Sequence, residues 1–319
     1  MNQEYQEPFV DYEDLATILQ GKGLKGERAI ITKRIRDVGY KRLSAYWFSF
    51  FNHQSKSLVC SIDDVWSLYC FDRQLRFLLL DAIERIEVGI RARLVHYFTE
   101  LYGPFGYLNP SHFHEQSMEK WLDWNVRQLK QARRSMNSKG SAASTFSHCY
   151  SNQHLPLWVL SELMDFGSTV TLYRMVDKQV KVKISKELGL PKHEILDSWL
   201  AVLNDVRNAC AHHEKVWNRQ WAKRPQLPKR ESLWQLVFSL NTGMWVDGIT
   251  DEASFKENRT GMMLSICHYM LSYYASSSAW TSRFMNLIHS QQIPLSIHTH
   301  MGFPEQWESH PLWSDAHYS

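Results

Sequence analysis

Apolar residues along this chain recur at intervals of three and four far more often than at every second position, which predicts helices almost throughout. The strongest stripe lies within residues 63–100, where Leu68, Leu75, Leu79, Ile83, Ile86, Ile90, Leu94 and Tyr97 share one helical face. Asp63 and Asp64 give that helix the acidic start an N-terminus favours, and Gly103-Pro104 breaks it. Asp72, Arg73, Arg76, Glu84, Glu87 and Arg91 take the positions the stripe leaves over. Glu87 and Arg91 are four apart with the acid first, the favourable order for an ion pair.

Shorter periodic segments flank this one. Residues 11–20 read as a first helix stopped at Gly21-Lys22-Gly23, and Glu27 to Val38 as a second ending at Gly39. Tyr40 to Phe48 is aromatic with an embedded basic pair, Lys41-Arg42; burial with two snorkelling cations is favoured over a base-stacking surface. Residues 133–145 are small, polar and basic, and are expected to form a loop. Pro156 opens a helix over Leu157 to Phe166, with Gly167 as its stop and Ser168 as cap of the next. After the break at Leu188 to Pro191, a helix from about Lys192 carries Ile195, Trp199, Val202, Val206 and Ala209 on one face. Residues 223–230, with Pro225 and Pro228, read as a linker; helices near 231–240 and 259–274 and an irregular tail from Ile293 follow.

Composition narrows the class. A chain of 319 residues exceeds one small core, so a main domain with extensions is expected. A net charge of +3 neither demands nor excludes a polyanionic partner, so any basic surface must be local. The 13 tryptophans are read first as core and interface residues. Five cysteines, odd in number and never spaced C-x-x-C, suit a reducing cytoplasm and argue against a disulfide framework. No leader pattern opens the sequence and no apolar run reaches the length of a membrane span. A cytoplasmic protein without membrane contact is expected. His112-x-His114 and His298-x-His300 lack a paired carboxylate or cysteine at ligand spacing, so neither a metal nor another cofactor is expected.

Residues 207–213, Arg-Asn-Ala-Cys-Ala-His-His, carry the candidate chemistry. Arginine keeps its charge at all relevant pH and can hold phosphate oxygens; histidine exchanges a proton near neutrality. Together they supply what RNA cleavage without a metal needs. Asn204, Asn208 and His212 stack four apart on a polar stripe. Arg207 lies about 140° from His212 around an ideal helix. Either Arg207 wraps around, or the helix distorts near Ala211, or the pair converges through a second copy of the chain. Attack by the 2′-hydroxyl needs one group to take its proton and another to protonate the departing 5′-oxygen, which a two-fold dimer with two imidazoles would provide. His213 falls on the apolar stripe continuing Val206 and Ala209, so a buried packing role is expected for it.

Arg207, four intervening residues and His212 match the R-x(4–6)-H signature of HEPN proteins, a helical nucleotide-binding superfamily. More broadly, the chain resembles the Abi-like proteins of bacteria, the AbiD/AbiF group. The blocks that carry the resemblance are Gly39-Tyr40-Lys41-Arg42-Leu43-Ser44-Ala45-Tyr46-Trp47, Leu68 to Arg76, Ile83 to Glu87 with Arg91, Pro156-Leu157-Trp158 with Glu162 and Phe166-Gly167, Arg207 to His213 with Trp217-Asn218, and Met301 to Trp307. The pattern departs slightly at Lys41 and Ala45. The resemblance implies an all-α HEPN-type bundle, with an N-terminal segment over 1–58, a core over 59–222 and a C-terminal extension over 223–319. It implies a homodimer whose Arg207, Asn208 and His212 form a metal-independent endoribonuclease site, with His213, Glu87 and Arg91 in support. It implies a toxin-like role in abortive infection, an RNA substrate and a small structured RNA as regulator. The alternative is a non-catalytic module that binds a structured RNA.

Overall fold

A computed structural model describes residues 8–52, 56–228, 258–275, 277–290, 295–296, 300–303, 307–309 and 312–313. The chain is all-α. Helices α1 (Tyr12–Gly21), α2 (Arg28–Val38) and α3 (Tyr40–Trp47) lead into the long α4 (Ile62–Tyr102). Then come α5 (Met118–Met136), α6 (Ala142–Cys149), α7 (Leu157–Ser161), α8 (Phe166–Met175), α9 (Lys178–Glu187) and α10 (His193–Ala211). Two further helices, α11 (Thr260–Tyr274) and α12 (Trp280–His289), follow. Two minimal strand pairs stitch the N-terminal loops: Leu24–Lys25 runs parallel to Cys60–Ser61, and Phe51–Asn52 antiparallel to Ser57–Leu58.

Helix α4 is the axis of the molecule. Its 41 residues span about 60 Å. Ser61 caps its start: the Ser61 hydroxyl accepts from the Asp64 N–H, and the Asp64 carboxylate accepts from the Ser61 N–H in return. Every residue of the expected stripe except Tyr97 is buried. Helices α3, α7, α8, α9, α10, α11 and α12 all pack on α4. At Gly89 a Cβ would lie 2.7 Å from the Tyr274 ring of α11, so that ring seats against α4 only because Gly89 has no side chain. Gly39, at φ 87°, sits between α2 and α3 in a conformation other residues avoid.

Three expectations from the sequence need correction. The basic loop over 133–145 is shorter, because α5 continues through Met136 and carries Arg133 and Arg134 in its last turn. The helix from Leu157 ends at Ser161, and α8 starts at Phe166 with Gly167 inside it. Asp165, not Ser168, is the cap: its carboxylate accepts the Ser168 N–H at 2.7 Å. Asp72 and Arg76, read as left-over polar positions, are buried. The expected helix near 231–240 lies outside the described residues, as does much of the tail.

The C-terminal helices close on a ring cluster. Trp280 donates its indole N–H to the Leu78 carbonyl of α4 at 2.8 Å, anchoring α12. His268 of α11 stacks on Trp313 with centroids 4.5 Å apart. Its Nε2 lies 2.5 Å from the Leu312 carbonyl and its Nδ1 2.9 Å from the Thr281 hydroxyl. A neutral ring satisfies both, donating from Nε2 and accepting at Nδ1. Burial pulls the imidazole down to about 4, with the Leu312 bond opposing. The unfolded chain therefore binds this proton first as pH falls. Stability from this residue is complete above about pH 6.5 and is lost towards pH 4, on the order of 3 kcal/mol in all. The thermal midpoint should drop between pH 6.5 and 4.5, and His268→Gln should flatten that slope. Equal slopes for both proteins would refute this assignment.

Candidate functional site

The site forms where α10 ends. Ile195, Trp199, Val202, Val206 and Ala209 are all buried, so α10 is fixed in rotation. It stays helical through Ala211, which removes distortion of the helix as a way to unite Arg207 and His212. His212 is the C-cap residue, at φ −86° and ψ 7°, and its side chain is exposed. Among the described residues the His212 ring has no hydrogen bond or ion pair.

The chain then reverses. His213 takes φ 59°, its N–H bonds the Cys210 carbonyl at 3.1 Å, and the Glu214 N–H bonds the Ala209 carbonyl at 2.9 Å. This is the Schellman pattern, with His213 where glycine is usual. The burial expected for His213 is therefore wrong: the stripe ends with the helix, and the left-handed residue turns its ring to solvent.

A buried carboxylate holds the loop that follows. Asp72 of α4 accepts the Trp217 N–H at 2.7 Å and the Val216 N–H at 3.1 Å. It also accepts the Tyr46 hydroxyl of α3 at 2.7 Å and pairs with Arg76 one turn along α4. Complete burial pushes the Asp72 carboxyl up, and Arg76, Tyr46 and the two N–H groups resist. Arg76 donates to the Glu214 carbonyl at 3.2 Å, Arg42 of α3 to the His213 carbonyl at 3.3 Å, and Lys215 back to the Ala45 carbonyl at 3.1 Å. Three blocks distant in sequence thus converge just beyond His212. The aromatic segment at 40–48 divides its work: Tyr46 and Trp47 are buried, while Lys41 and Arg42 are exposed.

Arg207 belongs to a second network. It is half-buried and donates to the Asn208 carboxamide oxygen at 3.2 Å. Its charge acts on two carboxylates, Glu87 of α4 and Asp165 at the start of α8. Glu87 pairs with Arg91 as expected, and Arg91 also donates to the Met164 carbonyl at 3.2 Å. Burial pushes the Glu87 carboxyl up, against the pull of Arg91 and Arg207. Burial also raises Asp165, but the Ser168 bonds, Arg127 and Arg207 outweigh it and leave its carboxyl below the ordinary range. Within one chain Arg207, Asn208, Glu87 and Arg91 are gathered, while His212 stands apart from Arg207 with no hydrogen bond between them among the described residues. Sequence reasoning missed Asp72, Arg76, Asp165 and Arg127; the available signal was an acid four residues before an arginine in line with Leu68, Leu75 and Leu79.

His112 is occupied structurally, stacking on Tyr102 with centroids 4.3 Å apart and bonding the Gly106 carbonyl at 2.9 Å. Among the described residues no helix is long and apolar enough to cross a membrane.

This arrangement joins a capped helix end, a buried carboxylate clamp and an arginine among acids within one all-α bundle. The family model for Abi-like protein matches residues 33–218, from within α2 to the clamped loop, and the chain belongs to that family. The family associates it with abortive infection, a phage-defence response. No curated protein and no solved structure matches the chain significantly.

Replacing Asp72 with Ala strands the buried Arg76 guanidinium and should cost about 3–5 kcal/mol. Tyr46→Phe removes one hydrogen bond and should cost about 1 kcal/mol. Urea unfolding midpoints check both, and equal effects would show that the carboxylate is not the hub. At position 213, Gly should be neutral or slightly stabilising and Val should cost about 1–2 kcal/mol, the order set by the left-handed backbone.

Proposed function

We propose that the chain is a metal-independent endoribonuclease of the HEPN type, acting as a toxin in abortive infection. Arg207 holds a non-bridging phosphate oxygen, and Asn208 orients that arginine. One His212 takes the proton from a 2′-hydroxyl while the His212 of a second copy gives one to the departing 5′-oxygen. The 2′-oxygen bonds to phosphorus as the bond to the 5′-oxygen breaks, leaving a 2′,3′-cyclic phosphate and a 5′-hydroxyl. The observation that carries this reading is the pairing of an exposed, unpartnered His212 ring with a backbone clamped at the next several residues. A ring open to solvent, on a backbone held this firmly, is what a proton-transfer group requires.

Arg207 and His212 lie on different sides of α10, so the reading calls for a homodimer with two α10 ends facing each other. Purified protein incubated with total RNA and chelator should cut it and leave cyclic-phosphate ends. His212→Ala should slow cutting by about 10²–10⁴-fold and relieve growth arrest, and Arg207→Ala by about 10²–10³-fold. Cutting by His212→Ala at the wild-type rate would end the nuclease reading.

A second reading is favoured by one specific observation: Arg207 is engaged with Asn208 and two carboxylates rather than with His212. A non-catalytic module would use the same arginine to grip a structured regulatory RNA. It would bind RNA in a salt-dependent way, lose affinity in Arg207→Ala, and leave RNA intact.

A further inference from the structure

A cleft of about 640 Å³ lies on the face of the molecule formed by α5, α8 and the first turns of α10. Lys120, Arg127, Ser168, Thr171 and Arg174 line it, with Asp123 and Asp197 as its acids. Helices α5 and α8 run antiparallel there: Trp124 donates to the Ser168 carbonyl at 3.0 Å, and Arg127 to Asp165 at 2.8 Å. Asp165 is the carboxylate that also feels Arg207. Arg127 and Arg207 thus flank one acid, and the cleft begins where the motif network ends. Along α8 the cleft runs about 9 Å from Ser168 to Arg174.

We propose that this cleft binds the sugar-phosphate backbone of the single RNA strand whose scissile phosphate sits at Arg207 and His212, an assignment that rests on the nuclease reading. Three observations carry it. The first is the charge of α5, which carries Lys120, Arg127, Lys130, Arg133 and Arg134 against only Glu119 and Asp123 on the same helix. All five of those cations are exposed. The second is the way the cleft cations are paired at rest. Arg127 with Asp165 and Arg174 with Asp197 are largely solvent-exposed ion pairs, with arginine side chains 65% and 46% exposed. Pairs so open hold about 0–1 kcal/mol each, so a phosphate can take over the guanidinium at little loss. The third is a lining that offers charge without base recognition. The Ser168 hydroxyl is buried and bonded to Gln128, the Thr171 hydroxyl donates to the Gly167 carbonyl, and the buried Trp124 offers no exposed face for stacking. The exposed cations are left as the contacts, which suits a backbone contact rather than base readout.

The test uses full-length protein carrying His212→Ala and a fluorescent single-stranded RNA of 24 nucleotides, with anisotropy read from 0.05 to 0.5 M salt. Lys120→Gln, Arg127→Gln and Arg174→Gln are combined in one variant. Lys25→Gln, Lys33→Gln and Arg36→Gln, on the exposed surface of the N-terminal segment, form a control with the same change in net charge. Removing three phosphate contacts should lower the slope of log affinity against log salt by about 2, which is about a hundredfold weaker binding at 0.1 M. The control should keep the parent's slope, and lysine-for-arginine replacements at 127 and 174 should recover most of the loss. Melting temperatures within a few degrees of the parent confirm that the variants fold. Equal weakening in the two triple variants, or none in the cleft variant, overturns the cleft while leaving cleavage by the His212 protein as it was. Failure of the nuclease reading shows separately, as binding by the His212 protein without any cutting.

Discussion

The structure turns on one carboxylate with no access to water. Asp72 binds the Tyr46 hydroxyl, the Arg76 guanidinium and two consecutive backbone N–H groups of the loop after α10. An isolated buried carboxylate costs several kcal/mol, so Asp72 is tolerable only while all its donors stay in place. That requirement is mutual: α3, α4 and the loop cannot separate without exposing or orphaning a charge. Helix ends ordinarily fray. This one is held by a left-handed turn at His213, by bonds from Arg42 and Arg76 to the next two carbonyls, and by the Asp72 anchor beyond them. His212 is the last residue before the clamp, and its backbone inherits that rigidity while its ring stays open.

The other half of the motif is organised by charge in a partly solvated setting. Asp72 with Arg76 and Glu87 with Arg91 are both acid-first pairs four apart on α4, and the second begins about 16 Å beyond the end of the first. The first pair is fully buried and shapes backbone. The second is slightly more open, its side chains 13% and 15% exposed, and shapes the field around Arg207. One straight helix therefore supplies both supports, and α10, packed along α4 by its apolar face, presents Arg207 to one and the cap region to the other. Mechanical support and electrostatic support need different dielectric surroundings, and the depth of each pair within the bundle supplies them.

Much of this was legible in the residues. The α4 stripe, the α10 face and the Glu87–Arg91 pair follow from periodicity, because burial on a helix repeats every three or four residues. The errors share a cause. Asp72 and Arg76 fall among the positions the stripe leaves over, and charge alone does not mark them for the core, whereas a fully bonded charge can replace an apolar residue there. Phe166 continued the apolar period of α7, and Gly167 resembled a stop, which hid the Asp165 cap and the new helix it starts. His213 keeps the period of α10, but the helix ends at Ala211, two residues earlier. Arg127 and Asp165 meet across 38 residues of chain, and no local pattern encodes such a pairing.

The position of the acids bears on how a two-fold site could be assembled. A straight α10 leaves Arg207 and His212 about 140° apart, so convergence within one chain would pull Arg207 away from Asn208, Glu87 and Asp165 together. A second copy in the proposed dimer requires no such rupture, since each chain contributes its own half as it stands. Two guanidiniums brought together repel, and a bound phosphodiester is one way to relieve that repulsion. The acids beside Arg207 change that balance. In that proposed dimer each arginine would bring carboxylate neighbours that offset its charge, so the interface would not depend on RNA to relieve the repulsion, and a strand would compete with Glu87 and Asp165 for the guanidinium. Under the proposed function the site would be assembled by protein contacts and loaded by charge exchange, two steps that would separate formation of the dimer from recognition of its substrate.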